Sequence, residues 1–211
     1  MWSARITLAA IAALMLSACS STRLASTWHA PDDPRTPMRR IALFVALKDT
    51  ETARFIEDEL SRKPPEGVAI TAGHTLAVSP AMPSDEAKAA LTGKGFEGAI
   101  VTRLVTVDER DVYHPPEANF VGDPWVFAPR YRSFWGYYPY AYTTLVSPGY
   151  VSRERRFIVE TILYRLPEGK PAWSAVTESL NPASTLVMIN EVRAIATKQL
   201  RTAGLIPPAA R

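Results

Sequence analysis

The chain has 211 residues, with 24 basic against 21 acidic side chains, one cysteine, 18 prolines, five Trp, eight Tyr and seven Phe. The small, dispersed charge excess excludes the basic stripe of a nucleic-acid binder, and a single cysteine excludes a disulfide framework. The length suits one domain of ordinary size.

The N-terminus sets the expected compartment. "MWSARITLAAIAALMLSACSS" carries Arg5 ahead of an apolar run from Ile6 to Leu16. Spanning a bilayer takes about 20 apolar residues, so this run is too short. It reads as a signal peptide over residues 1–18, to be set aside from fold reasoning. The run closes on Leu16-Ser17-Ala18-Cys19, which resembles the bacterial lipobox Leu-(Ala/Ser)-(Gly/Ala)-Cys. That resemblance implies a diacylglycerol on the Cys19 thiol, cleavage just before it, and acylation of the new amine. The alternative is ordinary cleavage after Ala18 that leaves a free thiol. Each buried CH₂ contributes about 0.8 kcal/mol, and two or more chains anchor stably. The mature protein is therefore expected on a membrane without spanning it. Ser20 follows the cysteine, where an Asp would resemble the inner-membrane retention signal, so the expected place is the periplasmic face of the outer membrane. Loss of Arg5 with the signal leaves 23 basic and 21 acidic residues. Residues 19–38, polar and proline-bearing, read as a lipidated tether, with Trp28 as the one residue able to pack on the domain edge.

The domain is expected over 39–206, with an insert at 111–149 and a short tail at 207–211. Arg39–Leu47, "RRIALFVAL", is nearly continuous in apolar residues and predicts a strand buried on both faces. Asp49 or Thr50 then caps an amphipathic helix, "TETARFIEDELSRK", whose Ala53, Ile56 and Leu60 recur at helical spacing. Pro64-Pro65 stops it. "GVAITAGHTLAV" predicts a strand at Val68–Thr71 and a second extended piece near Thr75–Val78. "DEAKAALTGKG" predicts a short helix ending at Gly93 or Gly95. "FEGAIVTRLVTVDE" predicts a strand that passes from all-apolar to alternating.

After the insert, "RRFIVETILYRLPEGKPAWSAVTESL" predicts a hairpin about Pro167-Glu168-Gly169, with Trp173, Ala175 and Thr177 on the return strand. "NPASTLVMINEVRAIATKQLRTAGLIP" predicts a helix capped near Asn181 or Ser184. Its buried stripe is Ile189, Val192, Ile195, Ala196 and Leu200. The order β-α-β-α-β, a two-stranded hairpin and a helix gives an α/β fold: a mixed sheet with helices packed on it.

This order resembles the α/β architecture shared by the TolB N-terminal domain and the CsgG periplasmic core. "GFEGAIVTRL" is similar to that family's "G-A-D-Y-V-L-x-G-x" strand, with Gly98 standing where the family has a bulky residue. "VETILYRLPEGKPAWSA" is similar to its "L-x-D-x-x-T-G-x-V-V-W" hairpin, with Gly169 and Trp173 at matching positions. Uncharacterised bacterial envelope lipoproteins are similar as a group. The resemblance implies docking and envelope assembly rather than catalysis. CsgG-like pores insert long alternating hairpins. The insert here is broken by prolines, so a pore is not implied.

Chemistry-bearing motifs are scarce. His29, His74 and His114 are scattered, and no HExxH, CxxC, GxSxG or phosphate-cradling glycine loop occurs, so no metal or cofactor is expected. Glu57-Asp58-Glu59 reads as the solvated face of a helix. Asp108, Glu109 and Asp111 lie at a strand exit, where a hydrolase would need a second acidic group across a cleft.

The most unusual stretch runs from Tyr113 to Tyr150. It holds 12 of the 20 aromatic residues and six of the 18 prolines. Rings on this scale disfavour disorder. They can fold back onto the sheet, or they can form a contact surface, since Tyr and Trp give large contact area at low entropy cost. Stacking on envelope glycans and a dip into the membrane interface are further options. The candidate partner-binding residues are Trp125, Tyr131, Trp135, Tyr137, Tyr138 and Tyr140. The expected activity is non-enzymatic interaction with an envelope protein, with glycan binding next and a hydrolase third.

Overall fold

The computed structural model describes residues 21–115, 117–118, 146–147 and 150–209. The elements in chain order are β1 (Thr22–His29), β2 (Arg40–Ala46), α1 (Thr50–Arg62), β3 (Ala69–Ala72), α2 (Ser84–Gly93) and β4 (Gly98–His114). Then come β5 (Glu117–Ala118), β6 (Val146–Ser147), β7 (Tyr150–Arg165), β8 (Lys170–Leu180) and α3 (Thr185–Thr202). Six strands form one mixed sheet in the order β1-β8-β7-β4-β2-β3. β2 runs parallel to β3 and β4, while β8 is antiparallel to β7 and β1. The expected fold class, an α/β fold with helices on a mixed sheet, is the one found.

The described residues divide into two compact units. One runs up to Asp108 and resumes at Arg155; the other lies within Glu109–Glu154. In the first unit, the continuous apolar run of β2 is buried on both faces. Ile41 and Leu43 join a core with Val68, Leu163, Trp173, Leu200 and Ile206, against which Leu60 of α1 packs. Ala42 belongs to a second core with Leu76, Leu91 and Phe96. α1 and α3 therefore cover one face of the sheet and α2 the other. Asp49 caps α1, its side chain accepting from Glu51 N, and Ser184 caps α3, accepting from Val187 N at 3.2 Å.

Three expectations change. Residues 19–38 do not form a tether throughout: Thr22–His29 is an edge strand paired with β8, from Thr22 opposite Ser179 to His29 opposite Trp173. Trp28 is 46% exposed rather than packed. An edge strand is held through backbone hydrogen bonds, so its side chains can stay polar and leave no apolar alternation to read. The second extended piece near Thr75–Val78 is also absent, and Gly73–Thr75 forms one turn of 3-10 helix instead. A Cβ at Gly73 would strike the Phe44 ring and the Leu43 carbonyl, so glycine lets this turn press on β2. At the other end, Pro207 is buried with Leu205 and Ile206, so the domain runs past the expected start of the tail.

The stretch after β1 is tied down twice, to β7 and to the segment after α3. Arg165 donates to Asp33 through Nε and Nη2, at 2.8 and 2.9 Å, and Met38 N donates to Leu205 O at 2.8 Å. Met38 is 1% exposed and lies over Gly98, where a Cβ would come within 2.6 Å of its sulfur.

Among the described residues of the second unit, the strands are cross-linked by charge. Arg110 pairs with Glu154 at 2.7 Å and Arg153 with Asp111 at 3.4 Å. His114 stacks on Tyr150 with ring centres 4.5 Å apart and bonds Ser152 through Nε2 at 2.9 Å. β5 and β6 pair Glu117 with Ser147 and Ala118 with Val146.

Gly98→Val should destabilise the protein by about 1–3 kcal/mol through overpacking against Met38. Chemical unfolding would check this, and Gly98→Val with Met38→Ala should recover part of the loss. The Arg165 hydrogen bond holds the Asp33 carboxyl below its ordinary 3.8. A lowered folded-state pKa adds stability that is complete above the unfolded value and is lost as the pH falls through the folded one. Asp33→Asn should cost about 1–2 kcal/mol at pH 7, since the half-buried Arg165 guanidinium keeps its bond to Thr36 O but loses its charge partner. Thermal melts should show the gap between variant and parent shrinking as the pH drops below 3.8.

Candidate functional site

Cys19, Trp125, Tyr131, Trp135, Tyr137, Tyr138 and Tyr140 lie outside the described residues. The described residues begin at Ser21, which with Thr22 is clasped to the domain. Ser21 donates from N and Oγ to the Glu191 carboxylate at 3.2 and 2.8 Å. Thr22 Oγ1 donates to the same carboxylate at 2.6 Å and lies 2.7 Å from Ser179 Oγ. Leu180 N closes the clasp on Ser21 O at 2.8 Å. Glu191 is the only acidic residue of α3. A lone acid on a helix otherwise carrying Arg193, Lys198 and Arg201 is the signal that sequence reasoning passed over.

A cleft opens between α1 and α3. Ile56 and Leu60, expected in the buried stripe of α1, are only half-buried because they wall this cleft opposite Met188 and Val192. Its floor is Leu104 of β4 and Phe157 of β7, and its empty space is about 780 Å³ counting the open mouth. At the rim, Arg103 is held by Glu160 at 2.5 Å. The lining offers hydrophobic and dispersion contact to an apolar group. It brings no acid–base pair together.

The acidic run on α1 splits by role. Glu57, expected on a solvated face, is 5% exposed. Its carboxylate accepts from Val45 N at 2.9 Å, from His74 N at 2.7 Å, and lies 2.9 Å from His74 Nδ1. His74 Nε2 reaches Asp58 at 3.3 Å. One buried side chain thus satisfies the ends of β2 and β3 where their backbone donors would otherwise face an apolar core. The periodicity of α1 placed Glu57 only one position from the apolar stripe, too near its border to decide burial.

The strand-exit acids do not form a catalytic pair. Asp108 is bound by Arg156 at 2.7 Å, and this hydrogen bond holds its carboxyl below the ordinary range. A carboxylate kept ionised in this way is a poor proton donor at neutral pH. Asp111 is paired with Arg153. Among the described residues, no group of three or more His, Cys, Asp or Glu is arranged to hold a metal ion, and no helix is long and apolar enough to cross a membrane.

Glu57→Ala should destabilise the domain by about 1–3 kcal/mol, because two part-buried N–H donors lose their acceptor. Glu57→Gln, which keeps an acceptor oxygen, should lose less in the same urea titration.

No family model matches the sequence, and no curated protein matches it. Among solved structures, the chain is similar to a dodecamer of a PelC variant from Paraburkholderia phytofirmans, with a TM-score of 0.42 and 12% identity, covering 89% of this chain and 98% of that one. A second PelC dodecamer from the same organism gives a TM-score of 0.43 and 10% identity, covering 88% and 99%. At this distance the likeness carries no argument about partner, assembly or activity here.

Proposed function

We propose that this chain is a lipid-anchored protein of the bacterial envelope, held at the periplasmic face of the outer membrane, whose α/β domain binds partners rather than transforming a substrate. One observation carries the proposal: the chain's single cysteine closes a lipobox behind a short apolar run. The resemblance to the TolB and CsgG architecture supports a docking role. Asp108 and Asp111, two of the acids that sequence offered to a hydrolase, are engaged in ion pairs, which favours the aromatic insert as the contact element. Trp125, Tyr131, Trp135, Tyr137, Tyr138 and Tyr140 would supply that contact to another envelope protein. A glycan is the second reading, favoured by the number of rings in one segment, since each presents a face on which a sugar can stack.

Cys19→Ser should abolish acylation and move the protein from the membrane to the soluble fraction, read by mass spectrometry and fractionation. A photoreactive residue at Tyr138, with a second at Lys88 on α2 as control, should give protein adducts at Tyr138 alone. Retention on peptidoglycan or polysaccharide without adducts would favour the glycan. Neither adducts nor retention would remove the contact role from the insert.

A further inference from the structure

We propose that the outward face of α3 is the surface this protein lays on an anionic lipid bilayer, given the Cys19 anchor proposed above. Attachment geometry comes first. Ser21 is clasped to Glu191, part-way along α3. Two residues extend at most about 7 Å, so the acylated Cys19 can lie no farther than that from Ser21. A headgroup layer is itself about 5–7 Å thick on each side of the bilayer. The chain has no spacer with which to stand clear, and α3 must sit at the lipid surface.

The composition of that face fits the position. Leu186 and Val187, in the first turn, are 43% and 39% exposed. Arg193, Lys198 and Arg201 follow on later turns and line one trough with Lys63 of α1. Leu186, Val187 and Lys198 are exposed and Arg193 and Arg201 half-buried, while Ile189, Val192 and Leu200 face the core. Apolar side chains therefore stand at one end and cations along the rest, the pattern of an interfacial helix that dips its Leu and Val below the phosphates and bonds them with Lys and Arg.

Ion pairing divides the cations of this unit without singling out one face, since among the described residues Arg39, Lys48, Lys88, Lys94 and Lys170 also stand outside the ion pairs. Arg23, Arg54, Arg62, Arg103, Arg156 and Arg165 of the same unit are each held by a carboxylate. Among the described residues, Lys63, Arg193, Lys198 and Arg201 are in no ion pair, and Arg201 Nε is buried without an acceptor. The one acid of α3, Glu191, is engaged by Ser21 and Thr22. Cations near a helix C-terminus also stabilise its dipole. That accounts for Lys198 and Arg201. It does not account for Arg193 in mid-helix, for Lys63 on another helix, or for exposed Leu186 and Val187 beside the anchor.

The test uses full-length lipidated protein in vesicles of phosphatidylglycerol and phosphatidylethanolamine, with phosphatidylcholine vesicles for comparison. With Cys19 acylated, single substitutions Leu186→Cys, Lys198→Cys and Lys88→Cys each give one free thiol for an environment-sensitive fluorophore. Lys88 is on α2, across the sheet. Dyes at positions 186 and 198 should shift to the blue and be quenched by headgroup-labelled lipid, while the dye at position 88 stays as in water. Arg193→Glu with Lys198→Glu should weaken the phosphatidylglycerol-dependent quenching at position 186 by about tenfold, with circular dichroism confirming the fold. If Cys19 carries lipid by mass but positions 186 and 198 behave like 88, the α3 face is overturned and the anchor stands. If the parent chain carries no lipid and Cys19 itself takes the dye, the anchor fails and this surface falls with it.

Discussion

β2 lies between β3 and β4 with apolar side chains on both faces, and every other part of the first unit answers to that. A strand of this kind cannot present either face to water, so helices must cover both. Ile41 and Leu43 draw α1 and α3 to one side, and Ala42 and Phe44 draw Leu91 and Phe96 to the other. The parallel neighbours follow, because β2 reaches β3 through α1 and β4 lies beyond α2. The antiparallel β7, β8 and β1 extend the sheet on the far side of β4.

Carboxylates are the second organising device. Glu57 joins the ends of β2 and β3, Asp33 joins the segment after β1 to β7, and Glu191 joins the start of β1 to α3. Each is placed where a buried charge or an unmet backbone donor would be costly, and each is answered by N–H, O–H or guanidinium groups. These acids hold segments together that are far apart in sequence. These three acids thus sit in structural joints rather than at a reactive centre.

The cleft between α1 and α3 arises from the same arrangement. Two helices on one face of a twisted sheet meet the strands at different angles and part where the side chains between them are short of filling the gap. Ile56 and Leu60 are thereby exposed to a lining that is almost wholly apolar.

The sequence by itself determined the fold class, the strand buried on both faces, the α1 and α3 caps and the hairpin turn. These rest on local signals: apolar periodicity, capping side chains and turn residues. The tertiary structure alone decided that Thr22–His29 is a strand, because an edge strand is held by backbone groups that sequence patterning does not register. It alone decided that Glu57 is buried and that Glu191 turns inward, because a carboxylate's surroundings depend on donors contributed by distant segments. For the same reason, only the folded chain brings Lys63 of α1 beside Arg193, Lys198 and Arg201 of α3. A shared surface is a property of packing, and residues 130 positions apart carry no local mark of meeting there.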